Sequence, residues 1–265
     1  MKAMQMTQRI GMAVLGFSLL TASVLADGAF VILQDGRRME GTSIRARANG
    51  DVILTTARGD LTFPRGEYRE AWAPRPQELD RARQQLQAGN PDAVISTLED
   101  VVRRYRHLSW DVEALGLIGR AHNEKSDYAA ALSSFNQLFQ RAPARREDRA
   151  IRWPFYRALL GAGELDRLER ELNELIAGGD RADAARAQIM RGDIKKQRDL
   201  ADAALLDYLR TVVLFQAQRD VQAEALYKAG VVLAERRDPR ARDMFRKVVE
   251  EHADSRFARQ ARERM

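Results

Sequence analysis

Apolar residues in the last two-thirds of the chain recur at the three- and four-residue spacing that is typical of amphipathic helices. In the clearest stretch, Val112, Leu115 and Ile118 lie on one face of a predicted helix. A polar break separates this face from a second apolar stripe, which includes Phe135. The pattern therefore predicts a helical hairpin over residues 111–143.

The same hairpin recurs about every 37 residues. Gly119, Gly192 and Gly230 lie 73 and 38 positions apart, which is close to two periods and to one period. In each of these units a small residue is followed four positions later by an aromatic residue: Ala131 and Phe135, Ala204 and Tyr208, and Ala241 and Phe245. A repeat of this length predicts a stack of helix pairs that share a continuous core and expose a long surface.

Four further hairpins are predicted around the clearest one, over residues 78–105, 150–177, 182–215 and 221–251. A short polar helix follows them, and Ser255 is placed to cap its amino terminus. Five hairpins and a capping helix therefore cover residues 78–265. This predicts a mainly α-helical solenoid within an α+β protein.

The unit over residues 111–143 resembles the tetratricopeptide repeat. In that family a small residue on the first helix meets a small residue on the second, an aromatic residue follows, and a proline ends the unit. Gly119, Ala131, Phe135 and Pro143 occupy those positions here. The resemblance implies a stack that binds other proteins and performs no chemistry.

The same resemblance implies where a partner protein would bind. The first helix of each pair lines a concave groove in tetratricopeptide proteins. Carried over by position, the partner-contacting residues would be Arg120, Asn123, Arg186, Lys196 and Tyr227. The carboxylate clamp of the chaperone-binding members is not implied, because Gly116 and Arg120 occupy two of its positions.

Residues 27–72 follow a different pattern, with short alternating stretches between turns. Asp35-Gly36 and Asn49-Gly50 are strong hairpin signals because these residues tolerate positive φ. Four or five short strands in this span predict a small SH3-like antiparallel barrel or sheet, which Gly41 would allow to bend. A proline-rich linker is predicted over residues 73–77, and the helical region begins at residue 78.

The first 26 residues have the pattern of a signal peptide. Lys2 and Arg9 precede an apolar run over residues 10–25, and cleavage is predicted between Ala26 and Asp27. The apolar run is short for a membrane span, which needs about 20 apolar residues. The sequence therefore predicts an exported, periplasmic protein; a retained membrane anchor is the alternative.

Composition narrows the chemistry. The chain has 44 basic and 38 acidic residues, a net charge of +6, no cysteine and three histidines. The charges are mixed along the helices, which favours a solvated surface over nucleic-acid binding. The histidines are far apart in sequence, and no nucleophile elbow, phosphate loop or dinucleotide motif occurs. We therefore predict no catalytic residue, no cofactor and no metal site.

These patterns support a non-enzymatic periplasmic adaptor whose partners are envelope proteins. Residues 248–255 resemble repeats of envelope-assembly and Tol/Ton-associated proteins, which implies a role in envelope organisation or energy-coupled transport. The first alternative is a glycan- or peptidoglycan-binding protein, with the β region as the binding head and the helices as a spacer. The second alternative is an accessory subunit of an enzyme.

Overall fold

The computed structural model of the protein describes residues 28–265. The predicted signal segment and its cleavage site at Ala26 and Asp27 lie outside the described residues. The chain divides into two compact units, and the boundary falls between Pro74 and Arg75. Among the helices of residues 28–265, none combines the length and the apolar character that a membrane crossing requires.

The first unit contains two antiparallel sheets of three strands each. The strands are β1 (Ala29–Leu33), β2 (Arg38–Gly41), β3 (Ser43–Ala46), β4 (Val52–Thr56), β5 (Gly59–Phe63) and β6 (Tyr68–Trp72). One sheet has the order β2-β1-β6 and the other β3-β4-β5. The described unit thus has six strands, and β6 is an addition to the four or five that were predicted.

Glycines shape this unit at two places. Gly50 adopts a φ of 93° in the turn before β4, a conformation that side chains with a Cβ disfavour. Gly41 lies at the bend between β2 and β3, and a Cβ there would collide with the Thr55 carbonyl oxygen. The bend expected at Gly41 therefore separates two strands, β2 and β3, at a position where only glycine fits.

The second unit consists of helix pairs in chain order. The helices are α1 (Gln77–Gln87), α2 (Pro91–Arg104), α3 (Trp110–Glu124), α4 (Tyr128–Arg141), α5 (Arg149–Gly161), α6 (Leu165–Gly178), α7 (Arg181–Gln197), α8 (Ala201–Leu214), α9 (Arg219–Glu235), α10 (Arg240–Glu251) and α11 (Arg256–Arg262). Five hairpins and a final short helix confirm the predicted solenoid.

Glycine–aromatic contacts hold the two helices of three pairs together. A Cβ on Gly119 would lie 2.7 Å from the Phe135 ring, one on Gly192 2.5 Å from the Tyr208 ring, and one on Gly230 2.7 Å from the Phe245 ring. All three aromatic residues are almost fully buried. Glycine therefore recurs at this position because the aromatic side chain of the second helix occupies the space that a Cβ would need.

Acidic and hydroxyl side chains start several of the helices. The side chains of Asp127, Asp148 and Asp180 accept hydrogen bonds from the first free N–H groups of α4, α5 and α7. The predicted cap at Ser255 is present, and its Oγ accepts from the Ala258 N–H at 3.1 Å. These caps fix where each helix begins, since they satisfy donors that a helix leaves unpaired.

Ion pairs join neighbouring helix pairs at sequence separations close to one repeat. The Lys196 ammonium in α7 contacts Glu235 in α9 at 2.6 Å. Arg149 and Arg152 both contact Asp183, which is buried at the α5–α7 contact. The helix pairs that begin with α5, α7 and α9 are thus linked by polar contacts as well as by apolar packing.

Candidate functional site

One cavity of about 590 Å³ lies along the first helices of successive pairs. It is lined by Arg120, Asn123, Glu124, Trp153, Pro154, Arg157, Leu160, Arg186, Ile189, Met190, Asp193, Glu224, Lys228 and Arg256. All of these residues belong to α3, α5, α7, α9 or α11, and none to an even-numbered helix. We refer to this surface as the inner cavity.

The structure brings three of the five predicted partner-contacting residues together. Arg120, Asn123 and Arg186 line the inner cavity. Lys196 and Tyr227 are not among its lining residues. The Lys196 ammonium binds Glu235, while the Tyr227 ring packs on Phe245 and Phe257 and its hydroxyl accepts a hydrogen bond from Arg264. The partner contacts of all five residues stay a prediction.

Asn123 is held rigidly at the cavity wall. Its side chain is only 3% exposed, and its Nδ2 donates a hydrogen bond of 2.7 Å to the Pro154 carbonyl oxygen in α5. A carbonyl can only accept, so this bond fixes which end of the amide is the nitrogen. The amide oxygen Oδ1 is buried and has no hydrogen-bond partner among the described residues.

The charges at the two ends of the cavity differ. At the α7–α9 end the Lys228 ammonium lies 2.7 Å from Asp193 and 2.6 Å from Glu224, so that it neutralises part of their charge. At the α3–α5 end, Arg120 and Arg157 are exposed and have no ion pair within residues 28–265. Arg256 of α11 also lines the cavity and has no ion pair among the described residues, and Glu124 is an unpaired carboxylate beside Arg120 on α3. Unpaired basic side chains therefore outnumber unpaired acidic ones in the cavity lining.

The pKa values at the α7–α9 end follow from burial and from these contacts. Burial raises the pKa of Asp193, although Lys228 and the Tyr208 hydroxyl stabilise its ionised form. Burial disfavours the Lys228 ammonium, but attraction by Asp193 and Glu224 outweighs that effect and raises its pKa. Lys228 is therefore charged at neutral pH and remains bound to these carboxylates.

Tyr208 extends this polar cluster to α8. Its hydroxyl donates a hydrogen bond of 2.8 Å to Asp193, while its ring packs on Gly192. Burial, followed by the nearby Asp193 carboxylate, raises the pKa of the Tyr208 phenol, so it stays protonated. Asp193, at the α7 end of the cavity, is thus held by contacts from both α8 and α9.

Apolar side chains form the remaining wall of the cavity. Trp153, Leu160, Ile189 and Met190 contribute from α5 and α7. The Arg186 guanidinium lies 5.3 Å from the centre of the Trp153 ring, a distance at which a cation is attracted to the aromatic face. The apolar wall and the basic rim lie side by side, which suits a peptide that carries apolar and acidic side chains.

Arg157 is an exposed residue of the cavity lining that was not among the five predicted partner-contacting residues. It lies 37 positions after Arg120, so the repeat period itself could have identified it. Trp153 and Met190 are also 37 positions apart and share the same wall. Lys228 could not have been found in this way, because its role depends on the carboxylates that contact it.

The histidines do not form a site together. His122 lines a separate cavity of about 450 Å³ among α2, α3 and α4, with its Nδ1 3.5 Å from the Asp127 carboxylate. His252 lines another cavity of about 590 Å³ with Glu250 and Glu251. Within residues 28–265, no group of three or more histidine, aspartate or glutamate side chains is arranged to hold a metal ion.

Comparison with known proteins supports the repeat. The tetratricopeptide repeat profile matches residues 224–255, which run from within α9 to the residue before α11. A search of curated proteins finds no significant match.

Two solved structures with a similar chain path are forms of MamA. For MamA 41-end from Desulfovibrio magneticus RS-1, the identity is 18% over 68% of this chain and 96% of that one, with a TM-score of 0.49. For the MamA RS-1 ArsTM double mutant, the identity is 19% over 67% of this chain and 95% of that one, also with a TM-score of 0.49.

Proposed function

We propose that this protein is a non-enzymatic scaffold that binds a segment of another protein in the inner cavity. The observation that carries the proposal is that the first helices of four consecutive pairs, with α11, line one cavity. A surface built in this way is continuous across repeats, so it can contact an extended segment at several points. The tetratricopeptide repeat over residues 224–255 supports the same role.

Site-specific photocrosslinking tests the proposal. A photoreactive amino acid replaces Arg157, which is exposed and lines the cavity, or Arg170, which is exposed on α6 and does not line it. Crosslinks to defined proteins are expected from position 157 and not from position 170. Equal crosslinking from the two positions, or none from position 157, would contradict the proposed binding surface.

We place the protein in the periplasm, on the strength of the signal-peptide pattern over residues 1–26. Cell fractionation is expected to release it with the periplasmic fraction, and amino-terminal sequencing is expected to begin at Asp27. A cytoplasmic protein that starts at Met1 would contradict the placement. A membrane-bound protein with the same intact start would favour the retained anchor.

We further propose a role in envelope organisation or in energy-coupled transport of the Tol/Ton type. The support is the resemblance of residues 248–255 to repeats of proteins from those systems. Crosslinked partners from position 157 are expected to be envelope components. Partners confined to other processes would remove this context while leaving the scaffold proposal intact.

Binding of glycan by the β unit is a second candidate function. Phe30 on β1 and Trp72 on β6 stack with ring centres 6.1 Å apart, and the Arg38 guanidinium lies 3.7 Å from the centre of the Phe30 ring. Aromatic rings of this kind can pack against the apolar face of a sugar. We also infer an SH3-like arrangement for this unit from its two small sheets. The full chain would then sediment with purified sacculi, and Phe30→Ala would weaken that sedimentation.

A further inference from the structure

We propose that the inner cavity selects acidic peptide segments that also carry apolar side chains, with Arg120, Arg157 and Arg186 as the selecting residues. The inference rests on the proposed function, since it names the chemistry of the partner that this cavity would bind. It differs from that function because a scaffold could bind neutral or basic segments equally well.

Unpaired arginines carry the first step of the argument. Elsewhere in the helical unit, arginines such as Arg141 and Arg198 contact carboxylates, here those of Asp111 and Glu169. Arg120 and Arg157 have no such contact within the described chain, although each is exposed at the cavity rim. Their guanidinium groups are therefore free to bind carboxylates of a partner, in paired hydrogen bonds of the charge-assisted kind.

Arg186 occupies an intermediate position. Its nearest carboxylate, on Asp220, is 4.0 Å away, and its guanidinium lies over the Trp153 ring. Contact with the ring orients the guanidinium but leaves its N–H donors available. A third donor group is thus held over the apolar wall, where it can bind a carboxylate beside an apolar side chain.

The apolar wall favours a peptide over a nucleic acid. Leu160, Ile189 and Met190 line the cavity beside the arginines. Acidic side chains that alternate with leucine or phenylalanine would match both features, because charges would meet the rim and apolar groups the wall. Glu124, together with the excess carboxylate charge at Asp193 and Glu224, would disfavour a uniformly anionic polymer that runs the length of the cavity.

Selection from a random peptide library tests the inference on the full chain. The library is selected in parallel on the wild type, on Arg120→Gln/Arg157→Gln, and on Arg170→Gln, which removes an exposed helical arginine that lies outside the cavity and has no ion pair within residues 28–265. A fourth chain, Met190→Trp, narrows the cavity without a change of charge. Circular dichroism spectra and melting temperatures establish that each variant is folded.

The inference predicts enrichment of acidic peptides with apolar residues on the wild type and on Arg170→Gln, and loss of that enrichment on the other two variants. An enriched peptide should bind the double arginine variant about tenfold more weakly. Its affinity for the wild type should fall as salt concentration rises, because exposed charge contacts are screened.

The other outcomes separate this inference from the proposed function. If the enriched peptides are not acidic, and their enrichment disappears on Met190→Trp, the inference is overturned but the scaffold function still holds. Acidic peptides that bind all four chains equally would overturn the inference and place binding outside the cavity. Tighter binding of a single-stranded oligonucleotide through the same arginines would also overturn it, and no enrichment on any chain would contradict both proposals.

Discussion

At the residue scale, the glycine–aromatic pairs are the contacts on which helix pairing depends. Gly192 is the closest of them, with Tyr208 packed on the backbone where a Cβ would stand. The aromatic ring is locked on its other side by the hydrogen bond from its hydroxyl to Asp193. Because neither the ring nor the backbone can withdraw freely, even one added methyl group must distort the pair.

The first prediction is that Gly192→Ala destabilises the protein. The new Cβ would lie 2.5 Å from the Tyr208 ring, and overpacking of this kind costs about 1–3 kcal/mol. Gly178→Ala is the matched control, because a Cβ at that helical position meets no atom within 4 Å. Urea denaturation should show a lower free energy of unfolding for Gly192→Ala alone, and an equal effect of both would refute the packing argument.

The second prediction concerns Asp207, which is fully buried between α7 and α8. Its carboxylate lies 2.9 Å from Arg191 and 2.7 Å from Lys195. Asp207→Asn would leave these two cations without their partner, and breaking a buried pair costs about 3–5 kcal/mol. Denaturation at neutral pH should show this loss, whereas Asp254→Asn, at an exposed position, should change the free energy of unfolding little.

The loss at Asp207 should depend on pH in a defined direction. Burial alone would raise the pKa of Asp207, but hydrogen bonds from Arg191 and Lys195 outweigh burial and lower it. A lowered folded-state pKa stabilises the protein above the unfolded value of about 3.9, and that stabilisation disappears as pH falls through the folded-state value. The difference between wild type and Asp207→Asn should therefore shrink in strong acid; a constant difference would exclude the ion pair as its cause.

At the element scale, helix ends are set by side-chain caps and loop residues. α11 is the shortest α-helix in the described chain and begins at the Ser255 cap. It covers part of the apolar cluster around Phe245 and Val248 through Ala258 and Ala261. A short helix has few internal hydrogen bonds, so both its cap and its packing are needed to hold it.

The third prediction is that Ser255→Ala frays α11. Loss of the cap removes the hydrogen bond to the Ala258 N–H and should cost about 1 kcal/mol. Amide hydrogen exchange in residues 256–262 should become faster, while exchange in the helices before α9 stays unchanged. Ser96→Ala, an exposed serine within α2, is the control and should leave α11 protected. Unchanged protection of α11 in Ser255→Ala would show that packing alone holds it.

At the scale of the whole molecule, the helical unit contains its own core. Four apolar clusters hold the helices, and their fully buried members all lie between Leu79 and Ala261. Successive clusters form between neighbouring pairs, as expected for a stack in which each repeat contacts its neighbours. The β unit has a much smaller buried set, which includes Val31, Val52 and Leu54.

The fourth prediction is that residues 75–265 fold without the β unit. The isolated helical unit should retain its helical circular dichroism signal and melt cooperatively close to the full chain, because its buried clusters remain complete. Residues 28–74 alone should be less stable, since so small a core rarely supplies more than about 3–5 kcal/mol. Loss of helical signal in the shorter chain would contradict the independence of the helical unit.

The sequence by itself determined the helix pairs. Apolar spacing, helix-ending residues such as Pro143 and the Gly119–Phe135 relation are local, so they could be interpreted without knowledge of distant contacts. The separation of β2 from β3 at Gly41 and the strand β6 could not be predicted in this way. Both depend on partners elsewhere in the sheets, Thr55 in one case and β1 in the other.

Only the tertiary structure decided which polar residues form a site. Arg120, Lys196 and Lys228 are alike in sequence as basic residues on first helices, yet one is unpaired, one binds Glu235 and one binds two cavity carboxylates. The partners of the two lysines include residues 39 and 35 positions away. Local pattern sets where a charge stands on its helix, but the availability of that charge depends on which distant side chain folding brings to it.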